Sequence, residues 1–160
     1  MSESAFLEQL RSNQGIIYKL VSLYAADSED RKDLYQEIVL QAWKSWRGYR
    51  GDSKFSTWLY RVSLNTILTQ KRKSAKADKK DSFTELQDVR TTADDVNHDL
   101  KELQWAIRRL SETDRAIISM NLDGYDNSEI ADIVGITNNN VAVKLHRIKQ
   151  QLANILKAER

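Results

Sequence analysis

A chain of 160 residues with no proline and only five glycines has few places to turn sharply. An all-β fold needs a turn every ~8–12 residues and draws on Gly and Pro to make it. The chain therefore reads as nearly all α. The absence of cysteine removes disulfide scaffolds, thiol nucleophiles, iron–sulfur clusters and every Cys-containing zinc site. Only two histidines are present, His98 and His146, too few for a three-His zinc centre. No cofactor or metal is expected. No apolar run approaches the ~18 residues of a membrane span. The opening MSESAFLEQLRSN lacks the basic flank and apolar stretch of a secretory signal. The expectation is a cytoplasmic protein without membrane insertion.

Charge is spread unevenly. Lys plus Arg is 25 and Asp plus Glu is 23, a net +2. Residues 1–74 hold 12 basic and 8 acidic side chains, residues 75–104 hold 5 and 8, and residues 105–160 hold 8 and 7. Ser53 to Ala77 contains Lys54, Arg61, Lys71, Arg72, Lys73 and Lys76 and no acidic residue. Asn138 to Arg160 contains five basic residues against Glu159. Two positive stretches suit two contacts to a polyanion, or simply two solvated helix faces. Between them, Ser74 to Asn97 is polar, mixed in charge and poor in helical periodicity. It reads as a linker in which Phe83, Leu86 and Val89 are available for docking. The expected domains are 1–74, a linker 75–98, and 99–160.

Apolar spacing predicts three long helices before the linker, or four if a short break divides the block. The first, about Ala5 to Ala25, carries Phe6, Leu7, Leu10, Ile17, Leu20, Val21 and Tyr24, with Gly15 as a weak point. The second, about Glu29 to Arg47, is capped by Asp27 or Ser28. Leu34, Tyr35, Ile38, Val39, Ala42, Trp43 and Trp46 form its buried stripe. The third, about Phe55 to Arg72, offers Trp58, Leu59, Val62, Ile67 and Leu68 for packing. After the linker, Leu100, Leu103, Ile107 and Leu110 mark a helix. Ser111 with Asp114 starts the next, which Asp123-Gly124 ends. Asp126 and Glu129 then form a capping box, Gly135 closes that helix, and Thr137 caps the last one.

The segment from Glu129 to Leu145 has the form of a helix-turn-helix. Ala131 is small where two helices meet, and Gly135 supplies positive φ for a tight exit. Ile136 and Val141 plug the angle. A helical wheel places Val141, Leu145, Ile148 and Leu152 on the core side. Asn139, Val143, His146, Arg147 and Gln150 then face away, flanked by Asn140, Ala142 and Lys144. Such a face can read base edges in a major groove while Lys144 or Lys149 holds phosphate. His146 is alternatively an ordinary exposed residue. The run Asn138-Asn139-Asn140 either caps the helix or meets a phosphate.

In the stretch YRGDSKFSTWLYRVSLN (49–65), Tyr49, Phe55, Trp58 and Tyr60 lie among Arg50, Lys54 and Arg61. Rings beside cations suit single-stranded nucleic acid, but helical aromatics are more often core. At this point the chain resembles the extracytoplasmic-function (ECF) sigma factors of bacterial RNA polymerase. The likeness rests on four segments in order: DLYQEIVLQAWKSW (33–46), YRGDSKFSTWLYRVSLN (49–65), LSETDRAIISMNLDGYDNSEIADIVGI (110–136) and NNNVAVKLHRIKQQL (138–152).

The resemblance implies sigma region 2 and sigma region 4 joined by a linker, and a function in directing core polymerase to promoters without being an enzyme. It implies that Asp33, Gln36 and Glu37 dock on the β′ clamp helices, and that the polymerase β flap is a further contact. It places Arg50, Gly51, Asp52, Ser53, Lys54 and Phe55, with Asn65, around a flipped base of the −10 element, with Arg61, Lys71, Arg72 and Lys73 on phosphates. It places Asn139, Asn140, Ala142, Val143, Lys144, His146, Arg147 and Gln150 in the −35 major groove. An anti-sigma factor is the usual regulator of such proteins. The recognition helix departs from the common Gly-Thr-Val start and following basic and Ser positions: Asn139-Asn140-Val141 is followed by Ala142 and Val143. Arg147 matches a usual basic position, and Val143 suits a thymine methyl. Two other readings fit parts of the sequence. One is a free-standing helix-turn-helix regulator, which would bind duplex tightly as a dimer. The other is a metal-dependent hydrolase built on Asp94, Asp95, Asp99 and Glu102, which lacks paired His ligands.

Overall fold

The computed structural model describes residues 2–77 and 98–158. Every regular element among them is helical. The chain divides into two units, one carrying the first three α-helices and the other the last four.

In the first unit, α1 spans Glu3–Tyr24, α2 Ser28–Ser45 and α3 Phe55–Ala77, and all three pack against one another. Helix α1 starts where the Ser2 hydroxyl accepts the Ala5 amide at 3.2 Å. It runs unbroken through Gly15. Phe6, Leu10, Ile17, Leu20, Val21 and Tyr24 point into the core, whereas Leu7, expected on that face, is half exposed. Asp27, not Ser28, caps α2, its carboxylate accepting the Asp30 amide at 2.8 Å. Leu34, Ile38, Ala42 and Trp46 bury as their spacing predicts, but Trp43 at the edge of that stripe stays 43% exposed. A wheel ranks directions around an axis; it does not say how wide a face the neighbours will cover. A single 3-10 turn, Trp46–Gly48, takes the place of the last residues expected in the second helix and bends the chain out of α2.

Helix α3 is continuous and five residues longer than its apolar pattern predicts. Leu59, Tyr60, Leu64 and Ile67 are its inner face, each 3% exposed or less. Burying such side chains contributes ~1.5–3 kcal/mol apiece, the main force holding the three helices together. Buried Thr66 satisfies its hydroxyl within the helix by donating to the Val62 carbonyl at 2.7 Å.

In the second unit, α4 spans His98–Ile107, α5 Glu112–Leu122, α6 Asn127–Val134 and α7 Asn138–Ala158. Each junction is fixed by a specific polar contact. The Arg115 guanidinium donates to the carbonyls of Arg108 and Leu110, at 2.9 and 3.2 Å, filling acceptors that the end of α4 leaves open. Ser111 caps α5 by accepting the Asp114 amide at 3.2 Å. Asp126 and Glu129 complete both bonds of a capping box on α6. Ile117, Met120, Ile130, Val141 and Ile148 fill the space between α5, α6 and α7, each 1% exposed or less. The expected docking residues Phe83, Leu86 and Val89 lie outside the described residues.

Candidate nucleic-acid interface

The helix-turn-helix is built by three local decisions. Gly135 takes φ +83°, a conformation an L side chain resists, and its amide closes on the Ala131 carbonyl at 2.8 Å. The next amide, Ile136, bonds the same carbonyl at 3.1 Å. Thr137 then caps α7, its hydroxyl accepting the Asn140 amide at 3.1 Å. The asparagine run is therefore not needed as a cap, and the side chains of Asn138, Asn139 and Asn140 are exposed at the helix start.

Packing divides α7 lengthwise. Val141, Leu145, Ile148 and Leu152 are buried. Asn139, Asn140, Ala142, Val143, His146, Arg147 and Gln150 are exposed, and Lys144 lies half-buried at the edge. Val143, at 48% exposure, is an apolar side chain held out in water in the middle of this polar surface. The face thus carries amide, imidazole, guanidinium and methyl groups in one row. Those are the donors, acceptors and apolar contacts that distinguish base pairs in a major groove.

In the first unit, the loop from Arg50 to Lys54 leaves the 3-10 turn and enters α3. Gly51 makes its bend at φ +78°. Arg50, Gly51, Asp52 and Lys54 are exposed, and Ser53 is partly buried. Beneath the loop lies a nest of rings. Trp46 stacks on Tyr49 (5.5 Å, 15°), and Phe55 and Trp58 each meet both of them within 5.2–6.1 Å. Phe6 of α1 extends the nest to Trp43 and Trp46. Phe55, expected at the base-contacting surface, is 7% exposed and works as a support under the loop. Its neighbours claimed the ring, so aromatic–basic interleaving reports here on packing.

On α3, Arg61, Asn65, Arg72 and Lys73 are exposed. Lys71 is not a free cation: its ammonium meets Asp30 Oδ2 at 2.7 Å. The same oxygen accepts the Ala26 amide at 2.8 Å, so the lysine ties α3 to the α1–α2 turn.

On α2, Asp33 and Gln36 are exposed, and Glu37 is partly buried, accepting Gln41 Nε2 at 3.0 Å. Leu40 and Trp43 continue the exposed row, 44% and 43% exposed. Reading Trp43 as core misses its place on this face, and Leu40 carries no role in the sequence reading. The signal was available in the spacing 33, 36, 40, 43, which follows one side of a helix. On the neighbouring α1–α2 contact, Tyr18 and Tyr35 stack at 4.9 Å. Burial, then the Tyr18 hydroxyl, raises the Tyr35 phenol above its ordinary value, so it stays neutral at physiological pH.

Of the acidic quartet, Asp94 and Asp95 fall outside the described residues. Glu102 lies 3.1 Å from His98 Nε2 at the exposed start of α4. Among the described residues no three His, Cys, Asp or Glu side chains group to hold a metal. No helix among them is long and apolar enough to cross a membrane.

Comparison with known proteins joins these surfaces. The Sigma-70 region 2 family matches residues 10–77, and the Sigma-70 region 4 family matches residues 100–152. The ECF RNA polymerase sigma factor SigM of Mycobacterium tuberculosis is 27% identical over 155 residues, covering 95% of this chain and 77% of that protein. The ECF RNA polymerase sigma-E factor of Escherichia coli is 28% identical over 152 residues, covering 86% of this chain and 79% of that protein. In fold, the chain is similar to the sigma factor RpoE solved with the anti-sigma factor NepR from Bartonella quintana, with a TM-score of 0.82 and 20% identity. That match covers 98% of this chain and 99% of the other. CnrH, solved with the cytosolic domain of CnrY, gives 0.71 at 18% identity, covering 99% and 92%. Two sigma regions, in the family's order, take in both the basic loop and the helix-turn-helix, and the chain belongs to the ECF sigma factors, which direct RNA polymerase to promoters to initiate transcription.

Proposed function

We propose that this sigma factor divides promoter recognition between its two units. Residues 1–74 hold core polymerase and open the −10 element, residues 99–160 hold −35 duplex, and 75–98 connect them. The observation that carries the reading is the two-sided α7. Its buried row anchors the helix, and its exposed row presents base-reading chemistry from Asn139 to Gln150. Lys144 steadies a phosphate, while Arg147, His146 and Val143 address base edges.

In the first unit, Arg50, Gly51, Asp52, Ser53 and Lys54 form the rim that receives an extruded −10 base, with Asn65 on the following helix. Arg61, Arg72 and Lys73 meet phosphates. Unstacking a base costs a few kcal/mol, which a fitted rim offsets. Asp33, Gln36 and Glu37 dock on the clamp helices of the polymerase β′ subunit. Leu40 and Trp43 add apolar contact to that face, because exposed aromatic and aliphatic side chains beside polar ones fit a protein partner better than water. The β flap is the contact for the second unit. RpoE of Bartonella quintana is solved bound to the anti-sigma factor NepR, and a partner of that kind is proposed here, acting in the cytoplasm by covering faces that polymerase needs. The protein itself binds and positions, and the bond-making belongs to polymerase.

Mixing the chain with purified core polymerase and assaying transcription from genomic promoter fragments tests the whole. Promoter-dependent transcripts are expected only with both components. Tight dimeric duplex binding without any polymerase association would replace this reading with a free-standing regulator. The docking face has its own test. Asp33→Ala with Gln36→Ala should weaken polymerase binding about tenfold or more, since interface anchors cost upward of ~1–2 kcal/mol. DNA contact by the second unit should be unchanged. Unaltered polymerase affinity would move the docking face elsewhere.

A further inference from the structure

The loop that carries the proposed −10 rim is short, exposed and bent through Gly51, yet one bond closes it. The Tyr49 hydroxyl donates to the Ser53 carbonyl at 2.7 Å. Among the described residues no other hydrogen bond reaches the backbone between Arg50 and Ser53. The bond runs from Tyr49, the residue just before the loop, to Ser53 near its far end, so it fixes the separation of the two ends.

Tyr49 is itself held firmly. Its amide donates to the Trp46 carbonyl at 3.1 Å. Its ring lies against Trp46, Phe55 and Trp58, the first of them nearly parallel. On the far side, the Lys54 carbonyl accepts the Trp58 amide at 3.0 Å, which fixes the start of α3. The rings therefore set where the hydroxyl stands, and the hydroxyl sets the loop. The ring and the hydroxyl have separable jobs: phenylalanine at this position would keep the ring nest and release the loop.

We infer that Tyr49 is a positioning residue whose hydroxyl preorganises the 50–53 loop to accept an extruded −10 base. This deepens the proposed function and rests on the reading of the loop as the −10 rim. A loop already closed need not be ordered when the base arrives, so the bond acts on the DNA-opening step. Because the bond ends on a backbone carbonyl, it holds the loop whatever side chain occupies position 53.

The test uses the full chain as Tyr49→Phe, assembled with core polymerase. The probe is a set of promoters randomised across the −10 element, read by transcript sequencing and by the rate of strand opening. Strand opening should slow about five- to tenfold, the worth of one neutral hydrogen bond. The base preference at one −10 position should flatten, while polymerase affinity and −35 preference stay at wild-type values. Arg50→Ala and Asp52→Ala run beside it. If they flatten the preference and Tyr49→Phe does not, the hydroxyl is not a positioning group. If neither they nor Tyr49→Phe change it, the loop is not the −10 rim, and both readings fall. Melting temperature separates the remaining case. A defect that tracks a lowered melting temperature and vanishes on cooling makes the bond a fold fastener and overturns the inference.

Discussion

Gly15 and Gly135 show how one residue type carries opposite meanings. Neither has a heavy atom within 4 Å of where a Cβ would stand, so space decides nothing at either site. Backbone conformation decides. Gly15 lies inside α1, with helical dihedrals that alanine adopts at less entropic cost. Gly15→Ala should therefore raise stability by about 0.5–1 kcal/mol. Gly135 sits at φ +83°, between α6 and the reading helix. Gly135→Ala should lower stability by about 1–2 kcal/mol, the left-handed penalty for an L residue. It should also weaken −35 binding, since the turn sets the angle at which α7 leaves α6. Urea denaturation of both variants reads the signs directly. Equal effects from the two would mean that packing, rather than φ, governs these positions.

Helix ends and inner faces were legible because they depend on neighbours in sequence. Asp27, Ser111, Asp126 and Thr137 each accept an amide three residues ahead, and Glu129 reaches back to the Asp126 amide. A capping residue followed by an apolar stripe is a local pattern. The exposed row of α7 was legible for the same reason, since its opposite face is a four-residue apolar repeat. What escaped were contacts between elements. The family resemblance puts Phe55 at the base-contacting surface, whereas Trp46, Tyr49 and Trp58 surround its ring. Leu7 and Trp43 looked buried because a stripe has no visible edge. Lys71 looked like a phosphate ligand, but Asp30, 41 residues away, takes its charge. That pair makes its own prediction. Asp30→Ala removes the ion pair, the acceptor for the Ala26 amide, and a carboxylate in the first turn of α2. A cost of about 1–2 kcal/mol is expected. Lys71→Met removes only the pair, which at 24% and 30% exposure is worth roughly 0.5 kcal/mol. It should also leave DNA affinity nearly intact, whereas Lys73→Met lowers it. Denaturant midpoints for the two variants and their double mutant separate these contributions. An Asp30→Ala cost no larger than that of Lys71→Met would show the Ala26 bond to be incidental.

At the scale of the whole chain, charge is placed rather than accumulated. The net of +2 averages a basic α3 and a basic α7 against an acidic stretch between them. A protein that held duplex by itself would need several phosphate contacts, and each makes affinity fall with salt. On the proposed −35 reading, α7 brings Lys144, Arg147 and Lys149 near the groove, too few cations for tight unaided binding at physiological salt. Polymerase then supplies the remaining affinity, and the exposed row of α7 is free to spend its contacts on sequence. This separates two kinds of variant. Lys144→Ala should weaken holoenzyme binding evenly across −35 sequences and reduce the slope of log affinity against log salt by about 1. Arg147→Ala should flatten preference at one base pair, costing ~1–3 kcal/mol on the best sequence and little on the rest. Titrating holoenzyme against −35 variants between low and moderate salt measures both quantities at once. If Lys144→Ala changes sequence preference while Arg147→Ala changes only the salt slope, the two side chains have exchanged roles. The helix would then lie in the groove rotated from the face that packing assigns it.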